Sequence, residues 1–271
     1  MGHIYREFIK ILFQKRTYFG WAGLFLVPFI IAAAMRLSQE GPPAPEQGGP
    51  PFIHLIELNG LYVAPAALLA LASFLLPMLA SMAGSQTIAG EAEKGTLRTI
   101  LMQPVRRGSI LLAKWFVANV YIALGLLILL AGSLAAGGVF YGLKPMMLLT
   151  GQTVGVAEGL WLTFLAYLFV LAGMAAVVSL GVALSTLTDS GLTAMAAGLV
   201  LVIIMLILGS LSVFDFLRPY LFTSHFDAFT NLFARPIDFV PLGKALANFA
   251  AWTIGMTLIA WVIFRKKDIL S

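Results

Sequence analysis

The sequence predicts an all-α fold: a polytopic membrane helical bundle with six transmembrane helices, an N-terminal interfacial helix and both termini cytoplasmic. Of the 271 residues, 60% are hydrophobic and only 11% charged, against roughly 25% charged in a soluble domain. The mean hydropathy is +0.95. Several apolar stretches reach the roughly 20 residues a helix needs to cross the hydrocarbon core, whereas barrel strands would be half as long and alternating.

The elements follow in order. Over residues 1–17, Ile4, Phe8, Ile11 and Leu12 share one helical face while Arg6, Lys10 and Gln14 face away. That is the pattern of a short elbow helix in the headgroup plane, although a basic flank that only fixes topology would also explain it. The first span covers about 18–37. Ala32-Ala33-Ala34 resembles a signal-peptidase site, but sixteen residues including Glu7 precede the apolar run, which predicts a permanent anchor. Arg6 stands where myristoylation of Gly2 would prefer Ser or Thr. The Pro- and Gly-rich stretch 41–51 can propagate neither helix nor central strand and predicts an exposed external loop.

The second span is expected at about 61–83, followed by a charged loop at 84–109 and a third span at 110–140. Asn119 in the third span is expected to hydrogen-bond to a neighbouring helix. The fourth and fifth spans fall at 159–185 and 191–213, and the sixth at 243–264. Small residues one turn apart, Ala172 with Ala176, Gly181 with Ser185 and Ala194 with Gly198, predict close helix approach. All five tryptophans fall near predicted span ends, where an amphipathic ring sits well at headgroup level.

In the segment 212–242, Phe222, Phe226, Phe229 and Phe233 recur at steps of four, three and four, which predicts an aromatic stripe on an external helix. Ser224 with Asp227 resembles a capping box, and Pro236 ends the segment. Packing against the bundle explains the stripe; a part in cargo exit is the sharper alternative.

Six spans put both termini on one side. With the N-terminus inside, twelve of the 17 Lys and Arg are cytoplasmic and five external, the bias expected of a plasma (inner) membrane protein. The net charge of +5 is thereby explained, and no basic run is long enough to predict nucleic-acid binding. The chain has no cysteine, which excludes disulfides, thiolate metal sites and Cys nucleophiles.

The charged loop is where function is legible. Leu97, Ile100 and Leu101 share a helical face, Thr96 can cap its start and Pro104 stops it after Gln103. Arg98, Arg106 and Arg107 lie close by. A short amphipathic helix beneath the membrane suits docking into a groove on a cytoplasmic partner. Glu91 or Glu93, then Gly95-Thr96-Leu97, Pro104-Val105-Arg106-Arg107, Ile110 and Lys114, resemble the first cytoplasmic loop of permease subunits of type-2 ABC exporters. The basic entry, the six spans and the aromatic segment before the last span extend the resemblance over the whole chain.

That resemblance implies a coupling helix that takes up the motion of separate ATP-binding subunits, two copies of which would hold ATP and Mg, and a second permease that is identical or related. It assigns ATPase coupling to Glu91, Glu93, Gly95, Thr96, Leu97, Arg98, Leu101, Pro104, Arg106 and Arg107. A topology-fixing loop whose turns need Gly and Pro is the plainer reading. The chain itself has no phosphate-binding Gly-x-x-x-x-Gly-Lys-Ser/Thr motif, and 84–109 is far too short for a catalytic domain.

Two other functions compete. An ion-coupled carrier would place ionisable groups deep in the spans, yet Glu158, Asp189, Asp215 and Arg218 all fall at predicted span ends. An intramembrane enzyme could use His225, Asp227 and Asp215 at a metal, but their spacing fits no strong motif, and His3 and His54 fall on opposite sides. No catalytic, cofactor or metal-binding residue is assigned. The expectation is an export permease whose cargo, met by apolar walls, is hydrophobic or amphipathic.

Overall fold

The computed structural model describes residues 15–37, 52–97 and 106–267. The elbow helix, apart from its last residues, the Pro-rich loop and the stretch holding Arg98, Ile100, Leu101 and Pro104 lie outside the described residues. Among the described residues, five helices are long and apolar enough to cross a membrane, or six if a bent pair counts as one span.

Helix α1 (Lys15–Leu37) runs beside α5 (Arg107–Phe140). Leu24 and Ala32 are buried against the bundle while Phe19 and Ile30 face outward. The helices approach so closely that a Cβ on Gly132 would lie 2.7 Å from the Phe25 carbonyl. At the far end Arg36 donates to the Phe140 carbonyl and Tyr141 to the Ala32 carbonyl, both at 3.0 Å.

The expected second span is broken. A 3-10 turn (Gly60–Tyr62) leads into α2 (Val63–Ala72), and α3 (Leu75–Ser85) continues at a bend of 58°. Pro77 explains the break: it has no N–H for the Ser73 carbonyl four residues back, and its ring would collide with that carbonyl in a straight helix. Hydropathy alone reads both halves as one span.

Helix α4 (Ala89–Glu93) is short and is followed by Gly95 at φ 69°, a left-handed position suited to glycine. Helix α5 begins three residues earlier than expected. After it, Met146–Met147 (β1) and Thr153–Val154 (β2) pair as a small antiparallel hairpin, with Gly151 at φ 84° in the turn. Among the described residues this hairpin is the one departure from an all-α fold.

Helix α6 (Val156–Leu187) is the most enclosed span and packs against α3, α5, α7 (Gly191–Ser210) and α8 (Phe239–Lys266). Helix α7 stops at Ser210, short of the expected 213. Both described chain ends, Lys15 and Lys267, lie at the end of the bundle that carries α4, here the loop end; the β-hairpin marks the opposite, hairpin end.

The segment between α7 and α8 is a run of 3-10 turns, Ser212–Phe214, Arg218–Tyr220, Phe222–His225 and Ala228–Phe233, instead of one helix. Its aromatic stripe nevertheless points inward. Phe222 meets Trp252 with ring centroids 5.2 Å apart, Phe226 meets Phe249 at 6.1 Å and Phe233 meets Phe52 at 5.1 Å. All four phenylalanines of the stripe are buried, so packing is what the spacing encodes. The Ser224–Asp227 capping box does not form: Ser224 Oγ has no hydrogen-bond partner among the described residues.

Small residues hold the spans together. A Cβ on Gly60 would sit 2.1 Å from the Gly137 carbonyl oxygen, and one on Gly137 would sit 2.1 Å from that of Gly60. At the other end of the broken span, a Cβ on Gly84 would lie 2.4 Å from the Val178 carbonyl and one on Gly181 2.9 Å from that of Ser81. Gly181 and Ser185, and Ala194 and Gly198, are buried as their spacing predicts.

Polar side chains add cross-links between helices. Tyr167 donates to the Ala64 carbonyl at 3.1 Å, and Trp115 to Ser179 at 2.8 Å. Trp252 donates to the Tyr220 carbonyl at 2.8 Å, so this ring and Trp115 also serve the bundle. Asn119 differs from expectation: it donates at 2.9 Å to the Trp115 carbonyl of its own helix.

The backbone crossing makes a sharp prediction. Gly137→Ala should destabilise the purified protein by about 2–3 kcal/mol, because the colliding atoms are backbone. Gly138→Ala, whose Cβ would meet only a Leu143 side-chain carbon at 4.0 Å, should leave the melting temperature within a degree or two.

Candidate coupling site

At the loop end, α4 sets two carboxylates two residues apart, and they face different partners. Glu91 is turned into the bundle, where its Oε2 lies 2.7 Å from Lys114 Nζ on α5, with side-chain exposures of only 5% and 3%. Glu93 is exposed, but its Oε2 accepts the backbone N–H of Gly191 at 2.9 Å. That N–H begins α7 and has no acceptor within its own helix. One turn of helix therefore touches both α5 and α7.

Other bonds draw the remaining helix ends into the same cluster. Thr96 Oγ1 donates to the Glu91 carbonyl at 3.3 Å, and Thr87 Oγ1 lies 3.2 Å from Ser185 Oγ on α6. Arg107, at the start of α5, donates to the carbonyls of Lys267 at 2.9 Å and Arg265 at 3.4 Å. Lys267 in turn pairs with Asp189 at 2.6 Å in the turn between α6 and α7, and donates to the Thr188 carbonyl at 3.2 Å.

Magnitudes separate these ties. Asp189 is 77% exposed, so its pair with Lys267 belongs with surface bridges worth about 0–1 kcal/mol. Removing one side of a buried pair such as Glu91–Lys114 takes a partner from a buried charge, a change that costs up to about 3–5 kcal/mol. The buried pair is the stiff connection between loop and bundle.

The ten residues singled out from the sequence thus divide. Glu93, Gly95, Thr96 and Arg106 are exposed, and Arg107 is half-buried. Glu91 and Leu97 are buried, so they support the surface from behind and do not form it. Arg98, Leu101 and Pro104 lie outside the described residues, as does most of the helix that Thr96 is expected to cap. Sequence reasoning did not find Asp189, Lys267 or the Gly191 N–H as partners. Their placement at span ends was readable, but only the packing of α6, α7 and α8 brings them beside α4.

At the hairpin end, Asn59 satisfies its whole amide. It donates to the carbonyls of Lys144 at 2.7 Å and Pro145 at 3.1 Å, and accepts from the N–H groups of Leu61 and Lys144, each at 3.1 Å. Arg235 pairs with Glu158, and Leu149 donates to the Phe233 carbonyl at 2.9 Å. His225 meets the Pro219 carbonyl at 3.3 Å, and Asp215 pairs with Arg218 at 3.6 Å. Among the described residues no three His, Asp or Glu are grouped as metal ligands.

A bundle of apolar spans with a buried charged tether to one short loop helix is the arrangement seen. The sequence model of the family described as ABC-2 family transporter protein matches residues 7–269. The chain belongs to this family. Its apolar helices and this membership together make it a multi-pass membrane protein of a transporter family. The chain is also similar to two proteins named "Probable ABC transporter permease protein NosY". The one from Stutzerimonas stutzeri is 36% identical over 113 residues, 40% of each chain. The one from Pseudomonas aeruginosa is 41% identical over 63 residues, 23% of each chain. The chain therefore spans well under half the length of these relatives in the matched regions.

In this ABC-2 family member, Lys114→Met should lower stability by about 3–5 kcal/mol because Glu91 is left charged and buried. Adding Glu91→Met should restore most of it, whereas Asp189→Ala should cost less than about 1 kcal/mol. Thermal unfolding of the detergent-solubilised variants measures all three.

Proposed function

We propose that this chain is the permease subunit of an ATP-driven export complex in the plasma (inner) membrane, with the loop end and both termini cytoplasmic. Two ATP-binding subunits hold ATP and Mg, and a second permease, identical or related, completes the pathway. The observation that carries the reading is the double attachment of α4: Glu91 to Lys114 on α5 and Glu93 to the Gly191 N–H on α7.

A push on the exposed face of Glu93, Gly95, Thr96 and Arg106 is then conveyed to two spans at once. Lys114 carries it to α5, and the start of α7 carries it to the span that borders the aromatic segment. Because the ion pair is buried, stretching it costs more than sliding the surface side chains, so the loop moves with α5 as one body. Alternation between inward-open and outward-open states follows from rotation of these spans about the glycine contacts. The cargo is hydrophobic or amphipathic, in keeping with spans that are almost wholly apolar.

Two measurements test this. The sequence has no cysteine, so Thr96→Cys and Tyr220→Cys each give a single thiol. A membrane-impermeant maleimide should label Tyr220→Cys in right-side-out vesicles and Thr96→Cys only in inverted ones; the opposite pattern rejects the orientation. Arg106→Glu should cut co-purification of the ATP-binding subunit at least tenfold while membrane insertion is unchanged. Full retention of that subunit in both Arg106→Glu and Glu93→Arg removes this surface from the mechanism.

A further inference from the structure

A cavity of about 450 Å³ opens beside the break in the second span, where α2, the last turns of α7 and the 3-10 segment meet. This volume falls in the range of small-molecule sites. Its walls combine three kinds of surface. Leu69, Leu206 and Phe226 are apolar; Ser73, Ser210, Thr223 and Ser224 bring hydroxyls; Arg218 and Asp227 bring opposite charges.

The hydroxyls are unusual. Thr223 is 94% buried, with 6% of its surface exposed, and neither its Oγ1 nor the buried Ser224 Oγ has a hydrogen-bond partner among the described residues. A buried hydroxyl without a partner is costly, and native proteins seldom keep one without a reason. Pro77 also withholds the helical donor from the Ser73 carbonyl at the same break. Arg218 uses Nε on the Gly209 carbonyl at 2.9 Å, and its pair with Asp215 is long at 3.6 Å, so guanidinium donors remain for a ligand.

A guanidinium with hydroxyls beside it suits a phosphate ester. A carboxylate on the same rim suits an amine attached to that phosphate. The route to the cavity is apolar: Ile203, Ile207 and Ser210 lie on one stripe of α7, and the two isoleucines are 39% and 53% exposed. We infer that this cavity binds the zwitterionic headgroup of an amphiphile, a phosphate ester carrying an amine, with Arg218, Thr223 and Ser224 on the phosphate, Asp227 on the amine and the acyl chains along α7. This rests on the export-permease reading and names the class of cargo, or of resident lipid, that the hairpin end would hold.

The test is calorimetric titration of the full chain in detergent with dihexanoyl phosphatidylethanolamine, dihexanoyl phosphatidylglycerol and free O-phosphoethanolamine. The zwitterionic lipid should bind saturably, at least tenfold more tightly than the other two. Arg218→Gln and Thr223→Val should each weaken it at least tenfold, and Asp227→Asn should erase its advantage over phosphatidylglycerol. Should a variant lose its fold, the same lipid must protect the single thiol of Ser210→Cys from maleimide. Absence of saturable binding and of protection overturns the site, as does unchanged affinity in Arg218→Gln. Equal binding of free O-phosphoethanolamine keeps the headgroup chemistry but overturns the amphiphile. Co-purification of the ATP-binding subunit is scored in parallel, so loss of this site with the subunit retained leaves the permease reading standing.

Discussion

The broken second span is held at both ends by contacts that admit no side chain, and the rest of the molecule is arranged around that grip. Gly60 against Gly137 fixes its start on α5, and Gly84 against Val178 and Gly181 fixes its finish on α6. Hydrophobicity cannot distinguish one helix from another inside a lipid phase, so close backbone approach carries the specificity of packing. Between the two grips Pro77 forces the bend. The loop helix α4 leaves the lower grip almost at once, which is why a short loop can sit with its carboxylates against two different spans.

Polar groups are used sparingly, and their burial decides what each can do. Asn59, with four partners, locks the first turn of the second span to the chain after α5, and no charge is spent there. Glu91 and Lys114 form the deepest ion pair described and join loop to bundle. The exposed pairs around Asp189 and Asp215 are weaker fasteners that can open without large cost. The buried ion pair thus lies at the loop end, while the hydroxyls of Thr223 and Ser224, without hydrogen-bond partners among the described residues, lie toward the other.

Much of this was legible in the sequence, for identifiable reasons. Apolar runs near the length of a membrane span located α1, α5, α6, α7 and α8, and the loop pattern from Glu91 to Lys114 pointed to the family that the whole-chain match establishes. The burial of Phe222, Phe226, Phe229 and Phe233 was also written in their spacing, although 3-10 turns took the place of a helix. The bend at Pro77 was hidden because hydropathy counts apolar side chains and is blind to a missing N–H. The inward turn of Glu91 was hidden because its partner Lys114 lies 23 positions on, at a distance fixed only by how α5 packs. The hairpin at Met146–Val154 has strands of two residues, too short for any periodicity to register.

Helix α7 has 20 residues, while α5 and α6 have 34 and 32. At 1.5 Å per residue α7 is about 30 Å long, just the thickness of a typical hydrocarbon core, whereas its neighbours run to about 50 Å. The bundle therefore meets the bilayer unevenly. Lipid along α7 has no slack to take up by tilting that helix, and the span Tyr18–Leu37 of α1 is equally short, so thickening the membrane puts these flanks in hydrophobic mismatch while the long helices adjust. Membrane thickness becomes a mechanical input to the molecule, felt along its short helices.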